Sequence, residues 1–347
     1  MDAPSILDFK APFPMNKLFS SRRCALVCAG TLGTALWLAG ASSALAADYP
    51  NRPIRIVVPY SAGGLTDVLA RTLGERLTQR LGQPTIVDNR PGGAEQIATS
   101  MVAKSAPDGY TLLLSTMTGL AVNPGLYGPR LQYDPYKDLT PVALVGSVPS
   151  IVVVHPDVPA KSMAELTAYA KAHPAKLNYG SAGNGTPSHL AVEYYKRQNA
   201  VDAAHIAYRG GAPALQDLMA GKVQMMIAIA PEALPMVKSG KLRALAVTSQ
   251  RRLVANPEIP TVQESGGKPL DASFWYAFVA PVGTPAEVVN KLNSTLNAIL
   301  QEPTLRTRLA ELNVDIGGGT PAALTDLIRT DAMRWKKVID EAGIKVD

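Results

Sequence analysis

The chain has 347 residues, of which 47% are hydrophobic and 18% charged, so it can bury a large core and lacks the charge excess of a disordered protein. Its net charge is +6 with both signs interspersed, which argues against a basic arm and predicts no nucleic-acid partner. With two Cys and four His, a zinc ribbon, an iron–sulfur cluster and a disulfide scaffold are nearly excluded, and we expect no metal and no cofactor.

Residues 1–46 are predicted to be a signal peptide, and Met15 also fits its true start. The Arg22-Arg23 pair precedes a mostly apolar stretch from Cys24 to about Ala41, and Ala44-Leu45-Ala46 follows just before Ala47. This small-x-small pattern predicts cleavage between Ala46 and Ala47, although an apolar stretch of this length also fits an uncleaved anchor. The arginine pair leaves general secretion and twin-arginine export both open. Both Cys belong to this segment.

Strand and helix signals alternate along the other 301 residues. Short β-rich runs predict strands at residues 54–59, 85–88, 111–114, 142–145, 151–154 and 177–179. Apolar residues at four-residue spacing predict a helix that carries Leu65, Leu69, Leu73, Leu77 and Leu81. Further helices are predicted over residues 188–196, after Thr284 and after Thr320. The alternation predicts an α/β fold in which helices cover a parallel or mixed sheet.

Three helix starts carry recognisable signals. Ser162 and Thr284 each precede a Glu by three residues, which is the capping-box spacing. Pro285 is predicted at the first helical position, where its missing N–H costs nothing. Thr320-Pro321 is predicted to begin the final helix.

Two glycine-rich turns each lie between a predicted strand and a predicted helix. We call residues 61–66 the first glycine loop and residues 181–188 the second glycine loop. Unpaired N–H groups at a helix N-terminus favour a carboxylate or phosphate. Neither loop matches a nucleotide-binding fingerprint. Two such loops, each in its own domain, suggest an anionic ligand held between two lobes.

No catalytic constellation is apparent. Residues 180–183 do not form a G-x-S-x-G nucleophile elbow, and no His pair has the metal-binding i, i+4 spacing. His189 fits either a structural hydrogen bond within its loop or contact with a bound anion. Asp67 fits a helix cap, a group that orients the first glycine loop, or a partner for a cationic ligand group. Trp275 and Tyr276 are interpreted as core residues rather than a ligand platform.

These motifs resemble the tripartite tricarboxylate transporter substrate-binding proteins, also called Bug receptors. The resemblance covers nearly all of the chain after residue 46, and its most specific block runs from Leu177 to Ala191. Further matching stretches are residues 49–59, Gly63-Gly64-Leu65-Thr66-Asp67, Asp88-Asn89-Arg90-Pro91-Gly92, residues 107–113, Asn123-Pro124-Gly125-Leu126-Tyr127, residues 241–248, residues 280–285 and residues 342–345.

The resemblance implies a two-lobed periplasmic-binding-protein fold of type II, the Venus-flytrap fold, with a mixed sheet flanked by helices in each lobe. We expect residues 47–147 and 249–347 to form lobe 1 and residues 148–248 to form lobe 2. The protein would capture a small carboxylate: a dicarboxylate, a tricarboxylate, an acidic amino acid or an aromatic acid. It would be a monomer without enzymatic activity that delivers its ligand to the membrane subunits of the transporter.

The resemblance also assigns ligand-binding residues to both lobes. The lobe 1 candidates are Tyr60, Ser61, Gly63, Gly64, Asp67, Ser115 and Thr116. The lobe 2 candidates are Ser181, Ala182, Gly183, Asn184, Thr186, His189 and Tyr208.

The sequence departs from the family pattern at two places. Tyr60-Ser61-Ala62 stands where the family has Phe-x-Pro, which adds two hydroxyl groups. Glu95 lies where the family favours further glycines, so it either faces solvent or selects a ligand with a cationic end. Two other functions stay open: a receptor that signals to a membrane sensor, and, with less support, a periplasmic hydrolase.

Overall fold

A computed structural model describes residues 49–346 except 175, 209 and 271. The predicted signal peptide, its cleavage site at Ala46/Ala47 and the alternative start at Met15 lie outside the described residues. Pro50–Asp347 forms one compact unit. Within the described part, no helix combines the length and the apolar character needed to cross a membrane.

Six strands form the first sheet. They are β1 (Ile54–Val58), β2 (Thr85–Asn89), β3 (Thr111–Thr116), β4 (Leu139–Val148), β10 (Phe274–Pro281) and β11 (Asp315–Ile316). Their spatial order is β11-β4-β10-β3-β1-β2. Strand β1 is parallel to β2 and β3, whereas β10 is antiparallel to β3 and β4. The sheet is therefore mixed, and the carboxyl ends of β1 and β3 reach the same edge.

Five strands form the second sheet. They are β5 (Ser150–Val154), β6 (Asn178–Ser181), β7 (Ala204–Ala207), β8 (Met225–Ile229) and β9 (Arg243–Val247), in the order β7-β6-β8-β5-β9. Strand β6 is parallel to β7 and β8, and β5 is antiparallel to β8 and β9. The prediction of mixed sheets flanked by helices is confirmed.

Ten α-helices cover the sheets in the described part of the chain. They are α1 (Leu65–Leu81), α2 (Gln96–Ala103), α3 (Asn123–Tyr127), α4 (Met163–Ala172), α5 (Pro187–Asn199), α6 (Gly211–Met219), α7 (Ala230–Lys238), α8 (Ala286–Leu300), α9 (Pro303–Glu311) and α10 (Pro321–Ala342). Helix α1 includes all five leucines of the predicted helix, and its Leu69, Leu73 and Leu77 are fully buried. The four-residue leucine spacing therefore produced the expected buried face.

The predicted helix starts have two outcomes. Ser162 Oγ accepts the Glu165 N–H at 3.1 Å, and Thr320 Oγ1 accepts the Ala323 N–H at 3.1 Å, so these caps are confirmed. The cap predicted at Thr284 is wrong. Its hydroxyl instead donates to the Pro281 carbonyl at 2.7 Å, and Pro285 lies at the N-cap of α8. A nearby strand-end carbonyl competes successfully for the hydroxyl.

Two connections join the sheets. The chain leaves the first sheet at Pro149 and returns between Val247 and Phe274. The two connections meet at the end of the second sheet, where the N–H of Ser150, the first residue of β5, donates to Thr248 Oγ1 at 3.1 Å and the Thr248 N–H donates to the Ser150 carbonyl at 2.8 Å. We call this the Ser150–Thr248 pair.

The core of the second sheet also includes side chains from the returning connection. Val262, Leu270 and Ala272 pack there with residues of β5, β6 and β8. The lobe boundaries at 147/148 and 248/249 stay a prediction. This packing favours placing the end of lobe 2 near Ala272.

Candidate functional site

A cavity of about 360 Å³ lies between the two sheets, a volume that suits a small molecule. From the first sheet and its loops it is lined by Tyr60, Gly64, Leu65, Thr66, Ala94, Thr118, Phe274 and Tyr276. From the second it is lined by Ser150, Ala182, Thr186, Pro187, Ser188, Gly210, Gly211, Met226, Ile227, Ala228, Ile229 and Glu232. Among these described residues Glu232 is the one carboxylate, and none is Lys, Arg or His.

The first glycine loop is held from behind by side chains. Asp67 is buried, and its carboxylate accepts the Gly63 N–H at 2.9 Å and the Asn89 amide at 3.0 Å. Asn89 also donates to the Tyr60 carbonyl at 3.0 Å, and Arg71 pairs with Asp67 at 2.9 Å. Leu65 and Thr66 line the cavity and form the start of α1, where backbone N–H groups have no helical acceptors. The loop therefore offers backbone donors in a fixed position.

The pKa of Asp67 is consistent with these hydrogen bonds. Burial alone would raise it, but hydrogen bonds from Arg71, Gly63 and Asn89 outweigh that effect and lower the pKa. The carboxylate is thus charged at neutral pH and satisfied by its own chain. Of the roles open to Asp67, orientation of the first glycine loop fits these contacts.

A second buried carboxylate, Glu95, lies beneath the same loop. It is 1% exposed, so it does not face solvent. Its oxygens accept hydrogen bonds from Tyr60 Oη at 2.7 Å, Ser115 Oγ at 2.7 Å, the Thr116 N–H at 3.2 Å and the Thr116 hydroxyl. Glu95 has a φ of +75°, which is unusual for a residue with a side chain. We call Tyr60, Glu95, Ser115 and Thr116 the Glu95 cluster.

Burial governs both titratable groups of the Glu95 cluster. Desolvation raises the pKa of Glu95, although its hydrogen bonds act in the opposite direction. Desolvation and the Glu95 charge raise the pKa of Tyr60 well above its ordinary value, so the phenol stays protonated and donates. The hydroxyls of Ser115 and Thr116, both predicted to contact ligand, are directed at Glu95 in this structure.

The second glycine loop satisfies most of its donors internally. The Ala182 N–H donates to Ser188 Oγ at 2.9 Å, the Gly183 N–H to Ser181 Oγ at 3.1 Å, and the Thr186 N–H to the Gly183 carbonyl at 3.2 Å. Thr186 Oγ1 donates to the Gly183 carbonyl at 2.6 Å and lies 3.1 Å from Ser188 Oγ, and both residues line the cavity. In this structure the hydroxyls of Thr186 and Ser188 therefore bond to the backbone of their own loop.

Stacked aromatic rings support the second glycine loop. His189 and His205 stack at 3.9 Å with an interplanar angle of 10°, and Tyr179 stacks on His205 at 4.8 Å. His189 Nδ1 accepts the Gly185 N–H at 3.0 Å, and His205 Nε2 lies 2.6 Å from Ser181 Oγ. Desolvation, reinforced by His205, lowers the pKa of His189 to about 4, so its ring is neutral at pH 7. The contacts fit the structural role considered for His189.

A third glycine-led helix start reaches the cavity. Gly210 (φ +118°) caps α6, and both Gly210 and Gly211 line the cavity. Tyr208 lies just before it, but its hydroxyl donates to Asp217 at 2.9 Å. The glycine pair was visible in the sequence, where it lacked the longer glycine run of the other two loops.

The predicted ligand-binding residues therefore fall into two groups. Tyr60, Gly64, Ala182 and Thr186 line the cavity. The others hold those residues or lie beside them: Ser61, Gly63, Asp67, Ser115, Thr116, Ser181, Gly183, Asn184, His189 and Tyr208. Their roles toward ligand stay predictions.

Several cavity residues were missed by sequence reasoning. Met226, Ile227, Ala228 and Ile229 come from β8, whose apolar run indicates a buried strand but not a ligand surface. Tyr276 is 1% exposed and also lines the cavity, so it combines the core role that was predicted with a place in the wall. Glu232 was missed because an acid in the first turn of a helix is common.

Comparison with known proteins gives one family. A family model described as "Tripartite tricarboxylate transporter family receptor" matches residues 69–344. Protein BugT of Bordetella pertussis is 37% identical over 317 residues, which cover 91% of this chain and 97% of BugT. A protein from the tcbD-tcbE intergenic region of Pseudomonas sp. (strain P51) is 38% identical over 294 residues, covering 84% of this chain and 87% of that protein.

Solved structures agree with this result. R. palustris Rpa4515 with adipate has a TM-score of 0.78 and 37% identity, covering 86% of this chain and 99% of that one. The periplasmic binding protein BugD has a TM-score of 0.73 and 35% identity, with coverage of 86% and 99%. MatC from Rhodopseudomonas palustris with bound malate has a TM-score of 0.73 and 32% identity, with coverage of 84% and 100%. The expected two-lobed fold is confirmed.

Proposed function

The chain belongs to the tripartite tricarboxylate transporter receptor family, and from that premise we propose that it captures a small carboxylate in the cavity between its sheets. The single observation that carries the proposal is that two glycine loops, one after β1 and one after β6, line the same cavity from opposite sides. A buried carboxylate needs satisfied hydrogen bonds. Backbone N–H groups and hydroxyls can supply them without a fixed positive charge.

We assign complementary roles to the two loops. The Leu65 and Thr66 N–H groups would bind one face of the carboxylate, because Asp67 and Asn89 hold that loop rigid. The Thr186 and Ser188 hydroxyls would bind the other face after rotating away from their partners within the loop, which are the Gly183 carbonyl and each other. Both Thr and Ser hydroxyls donate or accept by rotation, which suits a loop that meets its ligand as the lobes approach.

Ligand class follows in part from the relatives. Rpa4515 carries adipate and MatC carries malate, and a carboxylate is common to both. We propose a ligand with at least one carboxylate and a size that fits about 360 Å³.

The proposed cycle contains no chemical step. Ligand would favour the closed arrangement because both loops bind it at once there. We further propose that the protein acts in the periplasm as a monomer without enzymatic activity. It would then deliver the ligand to the membrane subunits of a tripartite tricarboxylate transporter.

A blocked cleft tests this function. Gly64 has an ordinary φ of −73° and lines the cavity, so Gly64→Val places a side chain beside the proposed carboxylate without backbone strain. Ala62→Val, in the same exposed loop but outside the cavity lining, is the matched control. We expect carboxylates to raise the Tm of the wild-type protein and of Ala62→Val. Gly64→Val should bind at least about tenfold more weakly by calorimetry. Binding by Gly64→Val equal to that of the wild type would refute the proposed site.

A further inference from the structure

The cavity contains one carboxylate that the proposed function does not use. Glu232 lies in the first turn of α7, and its side chain packs over Gly211 at the start of α6. A Cβ atom added to Gly211 would overlap the Glu232 carboxylate. The glycine therefore leaves room for this acid at the lobe 2 side of the cavity.

No hydrogen bond or ion pair joins Glu232 to another described residue, in contrast to the four donors around Glu95. Desolvation raises the pKa of Glu232, and no compensating interaction lowers it. Although burial affects the carboxylate, the residue as a whole is exposed to solvent. Closing the cleft around a ligand would remove that solvent and leave a charge that requires a partner.

The surroundings of Glu232 favour a cation over a second anion. None of the described residues lining the cavity is Lys, Arg or His. Desolvation raises the pKa of the buried Tyr276 most, and the charges of Glu232 and Glu95 raise it further. Both carboxylates therefore act on the part of the cavity wall that contains Tyr276. Phe274 and Tyr276 meet edge to face at 5.3 Å in that wall, and aromatic rings attract ammonium groups.

We propose that Glu232 selects ligands that carry a cationic group at the end opposite their carboxylate, so that the preferred ligand is an amino-carboxylate rather than a dicarboxylate. This inference rests on the proposed function, since the glycine loops must hold the carboxylate end. Glu232 is then a specificity-determining residue. An ammonium group would pair with its carboxylate, whereas a second ligand carboxylate would meet repulsion.

Matched acids that differ at one end test the inference. Pentanoate, 5-aminopentanoate and adipate share a carboxylate and four methylenes, and end in hydrogen, ammonium or carboxylate. Equivalent trios with three and five methylenes cover ligand length. Calorimetry would compare the wild-type protein with Glu232→Gln and with Glu287→Gln. Glu287 is the matched control because it is also an exposed acid in a first helical turn, that of α8, and lies outside the cavity lining.

We expect the wild-type protein to bind the amino acid of one trio about tenfold more tightly than its dicarboxylate. Glu232→Gln should weaken the amino acid about tenfold, strengthen the dicarboxylate and leave the monoacid unchanged, while Glu287→Gln changes none of them. An unchanged Tm of ligand-free Glu232→Gln checks that the variant folds normally.

Other outcomes separate the two proposals. If the dicarboxylate binds more tightly and Glu232→Gln leaves its advantage unchanged, the inference is wrong and the proposed function stands. Equal weakening of all three acids by Glu232→Gln would also overturn the inference, because Glu232 would then support the site as a whole. If none of the acids binds the wild-type protein, both proposals fall.

Discussion

The two glycine loops have the same sequence pattern but are stabilised in different ways. The first loop is held by Asp67, which accepts the Gly63 N–H, and Glu95 accepts a hydrogen bond from Tyr60, which precedes the loop. The unpaired N–H groups at the start of α1 belong to residues that line the cavity. The second loop uses its own hydroxyls and His189 to satisfy its N–H groups. A strand, a glycine-rich turn and a helix therefore do not by themselves specify which atoms a ligand meets. The side chains that pack behind the turn decide it.

The largest expected effect breaks the support of the first loop. Glu95→Ala leaves the donors of Tyr60, Ser115 and Thr116 without their acceptor in a buried place, which should cost about 4 kcal/mol of unfolding free energy. Urea denaturation would measure the loss. Glu75→Ala, which changes an exposed acid on α1, should remain within about 0.5 kcal/mol of the wild type. Equal stability of the two variants would mean that the Glu95 cluster contributes nothing.

The next largest effect is a difference between the two loops in how their contribution to stability depends on pH. His189 titrates near 6.5 when unfolded and about 4 when folded, so the unfolded chain binds more protons between these values. Stability is therefore complete above pH 6.5 and is lost as the pH falls toward 4, by about 3 kcal/mol. The lowered pKa of Asp67 means that the first loop loses its support only below pH 3.8.

Urea denaturation of wild type and His189→Gln across this range would measure that loss. The variant should show a flatter dependence of stability on pH, because its side chain can accept the Gly185 N–H without titrating. Parallel curves would exclude His189 as the source. Asp67→Asn serves as the control and should leave the slope nearly unchanged above about pH 5, because Asp67 is ionised there in both the folded and the unfolded chain.

Replacing one glycine of each loop by alanine should have a smaller effect on stability. Gly185 has a φ of +71°, and an added Cβ would overlap Leu126, whereas Gly63 has a φ of +86° with open space around it. Gly63→Ala should cost about 1 kcal/mol from backbone strain, and Gly185→Ala about 2 kcal/mol because Leu126 must also move. Thermal denaturation would rank the variants. The effects of Gly185→Ala and Leu126→Ala should be non-additive, and strict additivity would argue against the contact.

The smallest effect concerns one hydroxyl in each loop. Ser188→Ala removes the acceptor of the Ala182 N–H and should cost about 1 kcal/mol. Ser61 is exposed and its hydroxyl makes no hydrogen bond to another described residue, so Ser61→Ala should change stability by less than about 0.5 kcal/mol. Urea denaturation compares the two. A larger loss of unfolding free energy in Ser61→Ala than in Ser188→Ala would mean that side-chain hydroxyls stabilise the first loop rather than the second.

Local patterns predicted those parts of the fold that depend on neighbours in the chain. Helix α1 includes the five leucines that predicted it. The caps at Ser162 and Thr320 are confirmed because a hydroxyl reaches an N–H only three residues away. The cap at Thr284 failed because a carbonyl of the preceding strand end was closer to its hydroxyl.

In the site, too, the features that depend on neighbouring residues were predicted and those that depend on distant contacts were not. Both glycine loops were found from local spacing. The roles of Glu95 and Glu232 were not, because they depend on distant contacts. Glu95 meets Tyr60 across 35 positions and Ser115 across 20. Glu232 reaches the cavity through the packing of α7 against α6, which no local pattern encodes.

The Ser150–Thr248 pair has a consequence for how the protein can move. Ser150 is the first residue of β5 and Thr248 directly follows β9, so both connections leave the second sheet from two neighbouring residues that bond to each other. Any bending between the sheets that starts at this end must carry both connections together or break one of these hydrogen bonds. If the proposed closure occurs, the cost of breaking them would therefore favour motions that keep the two connections side by side.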